Sequence, residues 1–148
     1  TKAMPLPVGT EAPNFTAKDT KGNTVSLSDL KGKTVVLYFY PKDDTPGCTK
    51  QACSFRDAQP QYQSKDIVVL GVSADDQASH QAFTDKYNLN FPLLVDTEKS
   101  LISSYDVDGG GYAKRVTYVI DGSGKIVNVD ETVNTTTHAE DVLKSLGL

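Results

Sequence analysis

The chain has 148 residues, 38% hydrophobic and 23% charged, with a net charge of -4 and a pI near 5.0. That length suits one compact domain over residues 1–148, and the composition excludes disordered, collagen-like and disulfide-scaffold classes. The acidic balance leaves no basic footprint for nucleic acid or an anionic membrane surface, and no apolar run approaches the roughly 20 residues that span a bilayer. Neither nucleic acid nor membrane is therefore expected as a partner.

The opening stretch TKAMPLPVG lacks the basic and apolar regions of a secretory signal. A cytoplasmic location is expected on that ground, or an organelle such as the chloroplast if a transit peptide has been removed. In chain order, the first strong element is TVVLYFY at 34–40, β-branched and aromatic as in a central strand covered on both faces. Pro41 ends it. A helix opens near Pro46 and runs to about Tyr62, with Ala52, Phe55, Arg56 and Gln59 at helical spacing. IVVLGVS at 67–73 repeats the buried-strand pattern, and Asp75 or Asp76 caps a second helix carrying Ala78, Ala82, Phe83 and Tyr87. A short strand at 93–96 and a helical stretch from Glu98 to Tyr105 follow.

Three glycines at 109–111 mark a mobile connection, without the Lys-Ser/Thr ending of a phosphate loop. VTYVI at 116–120, the turn DGSG and a strand at 125–129 read as a β-hairpin. Thr137-x-x-Glu140 fits a capping box for a terminal helix with Val142, Leu143 and Leu146 on one face, closed by Gly147. This order predicts an α/β fold, a central mixed β-sheet flanked by helices, of the thioredoxin-like kind.

Chemistry concentrates in PKDDTPGCTKQAC at 41–53, where the first core strand hands over to its helix. The segment holds both cysteines, Cys48 and Cys53, a pair too close to staple a fold and more consistent with redox or metal chemistry. Thr45 is a good N-cap, Pro46 suits the first helical position, and Gly47 lets another group approach the backbone, which puts Cys48 third. Main-chain N–H groups in that turn lack intrahelical acceptors, and the positive end of the helix dipole favours a thiolate.

Acidity alone does not make a thiol fast. Lowering a thiol pKa from about 8.5 to about 6 raises the thiolate fraction at pH 7 roughly 30-fold, but a Brønsted slope of about 0.45 weakens each thiolate roughly 13-fold. The remaining acceleration has to come from donors aimed at the charge that develops on a leaving oxygen. The Thr45 hydroxyl and the N–H groups of Gly47 and Cys48 are candidates, and Arg115, directly ahead of VTYVI, is the candidate cation over the sulfur.

Pro41-x-x-x-Thr45-x-x-Cys48 resembles the P-x-x-x-T-x-x-C signature of peroxiredoxins, and Arg115 before T-Y-V-I-D matches their second marker. FYPKDDTPGCTKQACSFRD is similar to the peroxiredoxin Q, or bacterioferritin-comigratory, subfamily, and the likeness runs from about Pro7 to the terminal helix. The resemblance implies a thiol peroxidase acting on hydrogen peroxide and organic hydroperoxides. Cys48 becomes the peroxidatic cysteine, Cys53 the resolving cysteine, Thr45 and Arg115 activating partners, and Pro41 a shield for the pocket. Some members carry the resolving thiol in the next helix, where this chain has Thr84. The resemblance further implies a monomer, recycled by thioredoxin or a similar dithiol, with no prosthetic group or metal. Helical positions five apart have Cα atoms separated by about 8.6 Å, beyond the roughly 7 Å that a disulfide tolerates. If both cysteines are helical when reduced, the helix has to unwind before they join.

Plainer readings exist for the same residues: Thr45 as a cap, Cys53 as a small buried side chain, Arg115 as an ordinary ion-paired residue. His80 and His138 are expected to face solvent, Asp43 and Asp44 to decorate a solvated loop, and Lys50 and Arg56 to line an exposed helix face. Two other functions share the fold class. Disulfide oxidoreductases resemble C-x-x-C chemistry and copper-binding assembly factors C-x3-C with a later histidine, whereas this chain has C-x4-C and Arg115.

Overall fold

The computed structural model describes residues 5–148; residues 1–4, part of the opening stretch read for targeting signals, lie outside the described residues. The chain begins with a short antiparallel hairpin, β1 (Thr16–Lys18) and β2 (Thr24–Ser26), and a 3-10 turn at Leu27–Leu30. It continues through β3 (Thr34–Phe39), α1 (Pro46–Ser64), β4 (Ile67–Ser73), α2 (Gln77–Tyr87), β5 (Leu93–Val95) and α3 (Ser100–Ser104). The last elements are β6 (Val116–Ile120), β7 (Ile126–Asp130) and α4 (His138–Ser145).

The five later strands form one sheet in the order β5-β4-β3-β6-β7. β3 pairs in parallel with β4, and β4 with β5, whereas β3–β6 and β6–β7 are antiparallel. The sheet is thus mixed and helix-flanked, as the element order predicts. The β1–β2 hairpin escapes the sequence reading because three-residue strands are too short to show a period-two pattern.

β3 alternates strictly between two cores. Val35, Leu37 and Phe39 join α3 residues Leu101 and Ile102, with Phe15 and Leu27 from the N-terminal segment. Val36, Tyr38 and Tyr40 face the other way, onto Ala52, Phe55 and Tyr62 of α1, Phe83 of α2 and Val142 and Leu143 of α4. A strand buried on both faces needs apolar residues at every position, which is why TVVLYFY is uninterrupted.

Three local features bear on the expected helix ends, and one of them, the capping box of the terminal helix, differs from expectation. α1 runs through Pro60 to Ser64: proline removes the N–H that would bond the Arg56 carbonyl, and Asn90 Nδ2 donates to that oxygen at 3.2 Å instead. The Thr137–Glu140 capping box does not form, because the Thr137 hydroxyl donates to Asp141 Oδ2 at 2.8 Å. Asp76 does cap α2, accepting from Ser79 N at 2.8 Å. No helix among the described residues is long and apolar enough to cross a membrane.

Gly71 on β4 lies opposite Tyr38 on β3. A Cβ on Gly71 would stand 2.8 Å from Leu93 Cδ2 and 2.9 Å from the Tyr38 ring, so the bare backbone is what lets that ring stack on Phe55 at 4.8 Å. Gly71→Ala is expected to destabilise the fold by about 1–3 kcal/mol, the usual range for overpacking, as measured by urea unfolding.

Candidate active site

β3 ends at Phe39 and α1 begins at Pro46, so the intervening loop lies at one end of the central strand. The antiparallel register pairs Phe39 with Val116, which brings Arg115 to the same end of the sheet. Two stretches separated by more than 60 residues therefore meet there: Arg115 Nη2 lies 3.3 Å from Cys48 Sγ, |i−j| being 67. Arg115 Nη1 donates to Gln51 Oε1 at 2.6 Å.

Gly47 has a defined steric purpose. A Cβ there would stand 3.1 Å from Arg115 Nη2, so its absence lets the guanidinium lie against the first turn of α1. Cys48 is 1% exposed and packs with Tyr38, Tyr40, Ala52 and Phe55. Cys53 is half-buried on the same helix, and both thiols are free. Arg115, in contact with Cys48, is half-buried, as are Thr45 and Pro41 in the loop that leads to it.

Thr45 occupies the N-cap position with extended backbone, yet its side chain makes no cap. Its hydroxyl donates to the Lys42 carbonyl at 2.9 Å. This corrects the capping expectation and has a chemical consequence. With its proton committed, the hydroxyl oxygen can accept from an incoming O–H, and the first-turn N–H groups lack the side-chain acceptor a cap would supply.

Gln51 is a residue that the sequence reading missed. It is fully buried, and its Oε1 fixes one arm of the fork whose other arm reaches Cys48. A spacing of three from Cys48 places it on the same helical face, which is the signal that marks it.

Asp43 and His80 also depart from expectation. Both are buried, with His80 at 0% exposure. Asp43 accepts from the Tyr40 hydroxyl at 2.5 Å, the Ser79 hydroxyl at 2.8 Å and His80 Nδ1 at 2.7 Å. Asp44 follows with φ +58, a left-handed conformation that aspartate tolerates better than most residues. It does face solvent, where it pairs with Lys86 at 2.8 Å and the Tyr87 hydroxyl at 2.9 Å. Both aspartates thus fasten the loop before Thr45 to α2.

His138 is buried rather than solvent-facing. Its Nε2 meets Thr117 Oγ1 at 2.8 Å, its Nδ1 is 3.7 Å from Asp130, and burial pushes its pKa down against the pull of Asp130 and Asp141. Lys50 is exposed as expected. Arg56 is half-buried and donates to the Tyr87 carbonyl at 2.7 Å, tying α1 to the end of α2.

Comparison with known proteins follows the same lines. The family model described as AhpC/TSA family matches residues 8–129. Peroxiredoxin Bcp of Bacillus subtilis is 42% identical over 151 aligned positions, covering 97% of this chain and 96% of that protein. The chloroplastic peroxiredoxin Q of Triticum aestivum is 51% identical over 121 positions, 80% of this chain and 56% of that protein. Among solved structures, a cysteine-to-serine mutant of the Xylella fastidiosa peroxiredoxin Q superposes with a TM-score of 0.90 at 32% identity, covering 96% of each chain.

The Arg115 fork yields a direct test. Gln51→Leu keeps the volume of a buried position but removes the acceptor, and is expected to slow oxidation of Cys48 by hydrogen peroxide about tenfold in single-turnover thiol loss. An unchanged rate would mean that Arg115 is held without Gln51.

Proposed function

This chain is a thiol peroxidase of the AhpC/TSA family, on the peroxiredoxin Q and Bcp branch, and from that premise we propose that Cys48 is the sulfur that attacks peroxide. The observation that carries the assignment is the 3.3 Å approach of Arg115 Nη2 to Cys48 Sγ at the first turn of α1. A guanidinium there stabilises the thiolate and stays in place to meet charge forming on oxygen.

Each residue has a role in the displacement. The Cys48 thiolate attacks the nearer peroxide oxygen along the O–O axis; the S–O bond forms, the O–O bond breaks, and the electron pair leaves with the distal oxygen as hydroxide or alkoxide, which takes up a proton. The Thr45 oxygen accepts from the peroxide O–H and orients it. Arg115 and the N–H groups of Gly47 and Cys48 donate to the oxygens as negative charge moves onto them. Pro41 screens the thiolate from water. Sulfur is oxidised to sulfenic acid, and the peroxide is reduced to water or an alcohol.

Cys53 then attacks the Cys48 sulfenic sulfur, forming the disulfide and releasing water. Both cysteines lie in α1 when reduced, so the helix has to open between them, since helical positions five apart lie about 8.6 Å from each other. An external dithiol, thioredoxin or a similar protein, reduces the bridge and returns the helix. In this reading the enzyme works as a monomer on hydrogen peroxide and organic hydroperoxides; that the reacting constellation lies within one chain supports a self-contained site.

Peroxide-dependent oxidation of thioredoxin tests this assignment in three proteins. Cys48→Ser is expected to show no turnover, and Cys53→Ser to accumulate sulfenic acid on Cys48 without sustained cycling. On oxidation of the wild type, amides 48–56 are expected to exchange faster. Turnover by Cys48→Ser, or unchanged exchange in the oxidised protein, would contradict the mechanism.

A further inference from the structure

The most heavily bonded polar group near the proposed nucleophile is the Asp43 carboxylate. It lies two residues before Thr45 and is buried. Three side chains converge on it: Tyr40 from the end of β3, and Ser79 and His80 from α2. The Asp43 N–H is held too, donating to Asp75 Oδ2 at 2.8 Å, and Asp75 in turn accepts from the Ser73 hydroxyl at 2.6 Å. The loop that delivers Thr45 and the first turn of α1 is thus anchored through one carboxylate and its own amide.

His80 is bonded at both ring nitrogens. Nε2 lies 2.8 Å from the Leu94 carbonyl oxygen, an atom that can only accept, so Nε2 carries a hydrogen. Nδ1 lies 2.7 Å from Asp43 Oδ2. Two hydroxyls already donate to this carboxylate, one to each oxygen, so it acts as the acceptor of the network and the hydrogen between Oδ2 and Nδ1 is assigned to nitrogen. Both ring nitrogens are then donors, which is the imidazolium form.

Resting on the assignment of Cys48 and Thr45 above, we infer that His80 is a positioning residue for the peroxidase reaction, a buried imidazolium that holds the 43–45 loop in its reactive shape through Asp43. It touches neither substrate nor sulfur; it sets where Thr45 and the start of α1 stand. Its charged surroundings are acidic: Asp43 from the loop and Asp75 from the β4–α2 turn, with the neutral Tyr40 ring 6.5 Å away just after β3 and the Leu94 carbonyl on β5. Burial disfavours the charged ring, but the Asp43 hydrogen bond and charge, the Leu94 carbonyl and Asp75 outweigh it, leaving the His80 pKa raised above the usual 6.5.

A raised folded-state value means that the charge-dependent hold is complete below about pH 6.5 and is lost as pH climbs through the His80 transition. A neutral ring keeps a single N–H, so either Asp43 or Leu94 loses its donor. The loop then relaxes, and Thr45 moves off the peroxide O–H. Angstrom-scale misplacement of this kind lowers rates by about 10- to 100-fold.

Nitrogen-15 NMR of the histidine rings in wild-type protein reads the charge state without any variant: two N–H groups on His80 are expected at pH 6, with one lost only as pH climbs above about 6.5. Stopped-flow oxidation of Cys48 by hydrogen peroxide reads the consequence. His80→Gln offers a donor toward Leu94 and leaves Asp43 bare, and is expected to react about 10- to 100-fold more slowly at pH 6. His80→Asn, whose amide nitrogen stands near the Nδ1 position, is expected to recover part of that loss. The ratio of wild-type to His80→Asn rates, in which titration of the thiol cancels, is expected to fall toward one as pH rises through the transition seen by NMR. A single N–H on His80 at pH 6, or a ratio that stays flat across its titration, overturns the inference. Failure of Cys48 to react in wild type at any pH would instead overturn the catalytic assignment, and this inference with it.

Discussion

The contact between the Arg115 guanidinium and the Cys48 sulfur is the constraint on which the rest of the site depends, and it is set by strand register. Val116 sits opposite Phe39, so the residue before β6 and the helix after β3 share one end of the sheet. A shift of one residue in that pairing would turn each β6 side chain to the other face and carry Arg115 with it. The two-sided burial of β3 fixes the register, because Val35, Leu37 and Phe39 belong to one core and Val36, Tyr38 and Tyr40 to the other. Gly47 and Gln51 then complete the arrangement, one by leaving room for the guanidinium and the other by holding its second nitrogen.

In the proposed mechanism the same helix has two incompatible duties. Its first turn has to be rigid, since the orientation of Thr45, the N–H groups and Arg115 supplies more of the proposed rate than thiol acidity does. Yet the turns between Cys48 and Cys53 have to open for a disulfide to close. α1 is held on both flanks: Ser54 Oγ accepts from Ala139 N at 3.1 Å and the Tyr62 hydroxyl donates to the Ala139 carbonyl at 2.7 Å, while Arg56 reaches the end of α2. Opening between the cysteines therefore involves the Ser54–Ala139 contact, whereas the Tyr62 anchor lies beyond Pro60, where the helix ladder is already interrupted.

Much of the frame was legible because it rests on short-range pattern. TVVLYFY announced the central strand, TPGC the helix start, and Asp75 or Asp76 the cap of α2, a place that Asp76 takes. Arg115 was legible through its place before a recognisable strand. What escaped depends on long-range packing. Asp43 and His80, 37 residues apart, look like loop and surface residues until α2 folds over the loop. Gln51 looks like an ordinary helix residue until Arg115 arrives. Thr45 and Thr137 both have cap-forming identity, but Lys42 O and Asp141 claim their hydroxyls. A residue type states what bonds are possible, and tertiary structure decides which competitor wins.

The central claim is that Cys48 owes its reactivity mainly to donors that meet the breaking O–O bond, and secondarily to its ionisation. Comparing two reactions of the same sulfur separates these contributions: hydrogen peroxide, which needs the donors, and iodoacetamide, which responds to the available thiolate. In Arg115→Lys, which keeps the positive charge but loses the planar fork to Cys48 and Gln51, the peroxide rate is expected to fall by about 100-fold while alkylation changes by less than about threefold. Equal losses in both reactions would contradict the account and return the reactivity of Cys48 to its acidity.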